Sequence, residues 1–191
     1  MTKFQLKTAI QIVNFILSLF LFIGCQQMSE QVQDETAGIN GGFEISKNNL
    51  PVNWLLYTPN TVKTGDFKIV LDDMDFKEGK QSLKFDVKEC SYVGGRLSPG
   101  FTNQFKAIPG KQYKLSFWIK NKDSKFIVLA GGVSPLTGDM KTLIKSNEQI
   151  DSWKFLDFLI NIPDEHESLR LEVNIVKPGT FWIDDIKIEK L

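Results

Sequence analysis

Alternation of apolar and polar residues, repeated from Ser82 to the C-terminus, constrains this chain more than any other feature. In Ser82–Lys88, Leu83, Phe85 and Val87 face one way while Lys84, Asp86 and Lys88 face the other. Tyr113, Leu115, Phe117 and Ile119 alternate with Lys114, Ser116, Trp118 and Lys120. Leu156, Phe158, Ile160 and Ile162 alternate with Asp157, Leu159 and Asn161, and Leu169, Leu171, Val173 and Ile175 alternate with Arg170, Glu172 and Asn174. The final run sets Trp182, Asp184, Ile186 and Ile188 on one parity. A period of two marks strands with one buried face. Beyond Gly41 no stretch sustains a helical period over three turns. Glu78-Gly79, Pro109-Gly110, Gly131-Gly132, Pro163-Asp164 and Pro178-Gly179 supply turn chemistry between the runs. Many strands and no helix predict an all-β sandwich or barrel. Its core is expected to take Phe43, Phe85, Phe117 and Phe158.

The N-terminus follows a different pattern. Met1–Lys7 is short and basic, and Thr8–Ile23 is apolar, broken only by Gln11, Asn14 and Ser18. This is the layout of a secretory signal peptide over residues 1–24, too short for a comfortable membrane span. It ends Leu21-Phe22-Ile23-Gly24-Cys25, which resembles the lipobox of bacterial lipoproteins. That resemblance implies acylation (palmitate) of Cys25, which becomes the new N-terminus and a lipid anchor. Gln26 in place of an aspartate after the cysteine favours the outer membrane of a bacterial cell envelope. Residues 25–39, with QQMSEQVQDETAGI after the cysteine, form a polar, flexible tether with a reach of about 20 Å. Cys90 is then a lone cysteine and reads as a small buried apolar side chain.

Residues 40–191 carry four segments in a telling order. Asn40-Gly-Gly-Phe-Glu-Ile45 soon reaches Pro51-Val-Asn-Trp54. Glu78-Gly-Lys-Gln-Ser-Leu83 leads into a strand, as does Ile108-Pro-Gly-Lys-Gln-Tyr-Lys-Leu-Ser-Phe-Trp-Ile119. Gly179-Thr-Phe-Trp-Ile-Asp-Asp-Ile-Lys-Ile188 closes the chain. This order resembles the carbohydrate-binding modules of the family 4, 9, 16 and 22 group. The resemblance implies a galactose-binding-like jelly-roll β-sandwich that binds a polysaccharide or oligosaccharide without cleaving it. It also implies a structural Ca²⁺, held by the carboxylates of Glu44 and Asp184 and by backbone carbonyls near Gly42 and Lys80. Hard oxygen donors of that mix suit calcium. Independently, a carboxylate at Asp184 on a core-facing parity demands compensation, by a cation, a lysine or backbone N–H groups.

Sugar rings stack on aromatic faces, with flanking polar groups bonding the hydroxyls. Trp118, Trp153 and Phe155 are candidates by outward alternation, and Trp54, Tyr57 and Tyr92 by their place in loops. Arg96 and Glu172 are candidate polar partners, together with Asp157 and Asn174. Trp118 and Trp153 can equally be fold signatures of the group. A structural or protein-interaction module of an envelope complex is the alternative reading of the same sandwich.

Other chemistry finds little footing. With 23 basic and 23 acidic residues the chain lacks the basic surface of a nucleic-acid binder. One histidine and two cysteines exclude a Cys-rich zinc site. There is no Gly-x-Ser-x-Gly elbow and no phosphate loop. No pair of carboxylates stands out for glycoside hydrolysis, so the chain reads as a non-enzyme. Asp72-Asp73-Met74-Asp75 is expected to be a solvated acidic loop and His166 a surface histidine. Gly94-Gly95 and Gly131-Gly132 are expected at strand ends.

Overall fold

The inward sets of the alternating runs meet between two sheets. The computed structural model describes residues 37–191; the signal peptide, Cys25 and the tether up to residue 36 lie outside the described residues. The strands are β1 (Ser46–Lys47), β2 (Leu50–Pro51), β3 (Leu55–Tyr57), β4 (Asp66–Asp72), β5 (Ser82–Glu89), β6 (Gly100–Lys106), β7 (Gln112–Lys122), β8 (Lys125–Val133), β9 (Gly138–Ser146), β10 (Ile150–Asn161), β11 (Ser168–Lys177) and β12 (Gly179–Lys190). The first sheet has the order β10-β7-β12-β5-β4 and the second β3-β6-β11-β8-β9, with β1 and β2 forming a separate hairpin. Every pairing is antiparallel. The result is an all-β jelly-roll sandwich.

The first sheet contributes Leu83, Phe85, Leu115, Phe117, Ile119, Phe181 and Ile183 to the core, all fully buried. The second answers with Phe101, Phe126, Val128, Leu169, Leu171, Val173 and Ile175. Aromatic pairs join the sheets: Phe85 stacks on Phe101 at 5.9 Å, and Phe126 lies 4.9 Å from Phe181. Each buried side chain of this size contributes about 1.5–3 kcal/mol by leaving water. Phe43 is fully buried as expected, and Phe158 is half-buried on Phe117 at 5.9 Å.

Three expectations need correction. Trp182 does not face the core: Phe181 and Ile183 do, and a register shift between Asp184 and Lys187 then flips the parity so that Ile186 points inward. Asp185, at φ 52°, is the extra residue of this bulge. Gly131-Gly132 is no turn but lies inside β8. A Cβ on Gly131 would stand 2.0 Å from the Asp139 carbonyl oxygen, and one on Gly132 2.8 Å from the His166 ring. These glycines are needed for close approach. His166 is accordingly 3% exposed rather than on the surface, with Nδ1 unpartnered.

Candidate functional site

The expected site residues fall in three places. Trp54 is in the core, 4% exposed, packed edge-on against Phe101 at 5.2 Å and Phe105 at 5.7 Å. Its indole N–H donates to the Asn40 carbonyl at 3.0 Å. A ring enclosed in this way cannot stack on a sugar.

Trp118, Trp153 and Phe155 belong to the outer face of the first sheet. Phe155 pairs with Trp118 across β10 and β7, their ring centroids 5.1 Å apart, and Trp182 stands on the same face. The connection from β4 to β5 folds over this face. Lys77 Nζ lies 4.3 Å from the Trp118 centroid, and the Trp153 indole N–H donates to Asp75 at 3.1 Å. Asp75 also pairs with Lys120, while Asp72 accepts from the Trp182 indole at 2.9 Å and pairs with Lys84 at 3.3 Å. Burial pushes the Asp72 carboxyl up, but the Trp182 N–H, the Met74 amide and Lys84 together hold it below the usual range. Asp72 and Asp75 are thus anchors rather than a solvated acidic loop. The polar edges of Trp153 and Trp182 are used in holding that loop.

The residues of the expected calcium set gather around the same β4–β5 connection, Asp184 from the central strand β12. Asp184 is fully buried beneath the same connection. Its Oδ2 accepts from the amides of Lys77 at 2.7 Å and Glu78 at 3.0 Å, and its Oδ1 from Asp185 at 2.7 Å. Burial raises its pKa to about 6 against the pull of those amides, with Asp185 adding a smaller upward push. Glu44 Oε1 accepts from the Lys80 amide at 2.9 Å and the Gln81 amide at 3.3 Å. Gly79, at φ 68°, lets the carboxylate in, because a Cβ there would lie 2.2 Å from Glu44 Oε1. Among the described residues no three His, Cys, Asp or Glu side chains gather around a point. A cation here would therefore rest on these two carboxylates and on carbonyls such as those of Gly42 and Lys80. Of the compensations open to Asp184 the structure shows backbone N–H groups, three of them, while the free lone pairs of both carboxylates and the nearby carbonyls are all oxygen donors of the kind calcium takes.

The third place is the outer face of the second sheet, where Tyr57, expected in a loop but lying in β3 at 3% exposure with its ring closed to a sugar, meets Glu172 and two residues not singled out in advance. Strand register puts Leu55 and Tyr57 of β3, Thr102 and Gln104 of β6, Arg170 and Glu172 of β11, and Leu129 of β8 on this face. Arg170 is the hub. Its NH2 group donates to Glu172 at 2.8 Å and reaches the Tyr57 hydroxyl at 3.5 Å, while Nε donates to Thr102 Oγ1 at 3.2 Å. Burial, then the Glu172 charge, raises the Tyr57 hydroxyl above its ordinary pKa; Arg170 and Arg96 pull it the other way. The phenol stays a neutral O–H, able to donate and accept.

Beside this face stands the β5–β6 connection with its short 3₁₀ turn, Gly95–Leu97. Asn174 holds it, accepting from the Gly95 amide at 2.9 Å, and Ser98 ties the loop to itself through the Gly94 amide and the Ser91 carbonyl. Asn174 is therefore 2% exposed and structural. Tyr92, 85% exposed, and the exposed Arg96 project from the loop. Ahead of the start of β3, a hollow of about 310 Å³ opens between Ile39, Asn53, Asn103, Gln104, Phe105 and Lys106. Arg170 was legible as an outward residue and Thr102 was not, and nothing in the sequence placed either beside Tyr57.

No family model matches the chain. It is 26% identical over 161 residues to α-L-arabinofuranosidase 1 of Arabidopsis thaliana, a match covering 77% of this chain and 23% of that protein. The chain thus spans about a quarter of that relative's length. The solved CBM22-1 xylan-binding domain of Paenibacillus barcinonensis Xyn10C superposes with a TM-score of 0.56 at 12% identity, over 78% of this chain and 91% of that one. A CBM4 module superposes with a TM-score of 0.55 at 15% identity, over 80% and 98%. The fold is that of carbohydrate-binding modules. This agrees with the resemblance in the four ordered sequence segments.

Proposed function

We propose that this chain is a non-catalytic glycan-binding lipoprotein of the bacterial cell envelope, taking polysaccharide on the outer face of its second sheet. The observation that carries the reading is the Tyr57–Thr102–Arg170–Glu172 cluster. It is a pre-organised set on an outward sheet parity: Tyr57 and Thr102, 3% and 5% exposed, lie beneath and hold in place the partly exposed Arg170 and Glu172, which face solvent beside the loop bearing Tyr92 and Arg96. Such a set bonds hydroxyls without having to reorganise, and Leu55 and Leu129 offer apolar surface for sugar C–H faces. The xylan-binding domain and the CBM4 module, which share the fold, lend support. Glu172 is committed to Arg170 and has no second outward carboxylate on the described strands of this face, whereas glycoside hydrolysis uses two. Lipid at Cys25 would fix location, and Glu44 and Asp184 would hold a calcium that adds to the amides in compensating their charge.

The alternative is a protein-interaction module of an envelope complex, favoured by Phe155 and Leu159, which are 45% and 61% exposed on the edge strand β10. A glycan-array screen of the full chain in non-ionic detergent, with calcium, separates the two. Saturable binding to one polysaccharide class supports the proposal. Silence from a cooperatively melting protein contradicts it.

A further inference from the structure

The strand positions on the second sheet's outer face carry more cations than anions. Strand register assigns it Lys106 of β6, Arg170 and Glu172 of β11 and Lys145 of β9, and Arg96 projects from the loop beside it. Glu172 is consumed by Arg170. Arg96, Lys106 and Lys145 are exposed and make no ion pair among the described residues. The nearest acid on β9, Asp139, has the opposite parity and pairs with Lys141 at 3.1 Å.

From this imbalance we infer that the ligand is an acidic polysaccharide, one whose sugars carry carboxylates. The inference rests on the glycan-binding reading and names its substrate class. Three free cations around a hydrogen-bonding centre complement uronate groups on a chain of hydroxylated rings. Their placement asks for a polymer: the Lys106 row pairs with Ser168 and the Lys145 row lies opposite Asn174, six residues or about 20 Å apart along β11. A single sugar does not bridge that span. At the Lys106 end the hollow of about 310 Å³ adds the Gln104 side-chain amide, while Asn103, bonded to the Asn53 carbonyl and the Gln104 backbone amide, frames it.

The test titrates the full chain, in non-ionic detergent, with polygalacturonate, alginate and glucuronoxylan, each paired with its carboxyl-reduced form. Poly-glutamate and neutral xylan and glucans complete the set. The inference predicts at least tenfold tighter binding of one polyuronate than of its reduced partner. The difference weakens with salt and shrinks to within twofold in the Arg96→Gln/Lys106→Gln/Lys145→Gln variant. If no polyuronate exceeds its reduced partner while neutral polymers bind, the charge inference fails and the glycan reading stands. Poly-glutamate binding as tightly as the polyuronate, or a full preference kept by the triple variant, also overturns it. Binding to no polymer of either kind takes down the glycan reading itself.

Discussion

Trp54 separates a structural role from a ligand-facing one. Its ring is 4% exposed and lies within 6 Å of three others, with Phe43 at 5.8 Å, Phe101 at 5.2 Å and Phe105 at 5.7 Å. Trp54→Ala removes that packing, which costs about 3–5 kcal/mol in a core. It also removes the hydrogen bond to the Asn40 carbonyl, about 1 kcal/mol net; that carbonyl keeps the Phe43 amide as a donor at 3.1 Å. A sum near 5 kcal/mol is much of the 5–15 kcal/mol available to a typical domain, so this variant is expected to be largely unfolded at 37 °C. Trp54→Phe is the informative change. It keeps an aromatic in the cluster and loses the hydrogen bond and part of the ring, about 2 kcal/mol, or about 4–8 °C in Tm for a domain of this size. Circular-dichroism melts and glycan isotherms on the folded variant should show that drop with affinity unchanged. A Trp54→Phe protein that melts like wild type but no longer binds glycan would refute the placement of this ring in the core.

Three other perturbations address separate parts of the account. Because burial and Glu172 raise the Tyr57 hydroxyl, its ionised form is disfavoured in the folded state; the stability it contributes is intact below its ordinary pKa of 10 and falls as pH rises beyond. Denaturant titrations from pH 9 to 11 should therefore show wild type losing stability relative to Tyr57→Phe, and parallel curves would contradict this. Calcium should raise the Tm of wild type by several degrees over its value in chelator and leave Asp184→Asn unmoved; equal melting of wild type in both conditions removes calcium from the account. Radiolabelled palmitate should be incorporated by wild type and not by Cys25→Ser, and labelling that persists in the variant refutes lipidation at this residue.

Local pattern made the strands and most of the core readable, because a period of two needs only neighbouring residues. It reached Leu83, Phe85, Leu115, Phe117 and the whole inward set of β11. It failed at Trp182, where a single extra residue, Asp185, shifts the parity within one strand; two adjacent aspartates in an apolar run were the only local sign of that bulge. The site was less legible for a different reason. Alternation says that Trp118 and Glu172 both point outward, but strand order decides that they lie on opposite outer faces. That order is fixed by pairings between distant residues, such as Glu172 with Thr102 and Trp118 with Phe155. The acidic run at Asp72–Asp75 misled for a similar reason. Its partners, Trp182, Lys120 and Trp153, lie far along the chain and are brought to it by the first sheet.

The central claim is that glycan binds on the second sheet's outer face and not on the aromatic face of the first. Isothermal titration of one array-positive polysaccharide against two paired variants tests it most directly. Arg170→Ala/Glu172→Ala removes both members of the ion pair and leaves neither charge orphaned; Trp118→Ala/Phe155→Ala strips the opposite face. With hydrogen bonds to charged groups contributing about 1.5–3 kcal/mol each, the first pair should weaken binding at least tenfold. The second should stay within twofold of wild type while both proteins melt cooperatively. Loss of binding in the Trp118/Phe155 variant, with the Arg170/Glu172 variant unaffected, would contradict the account.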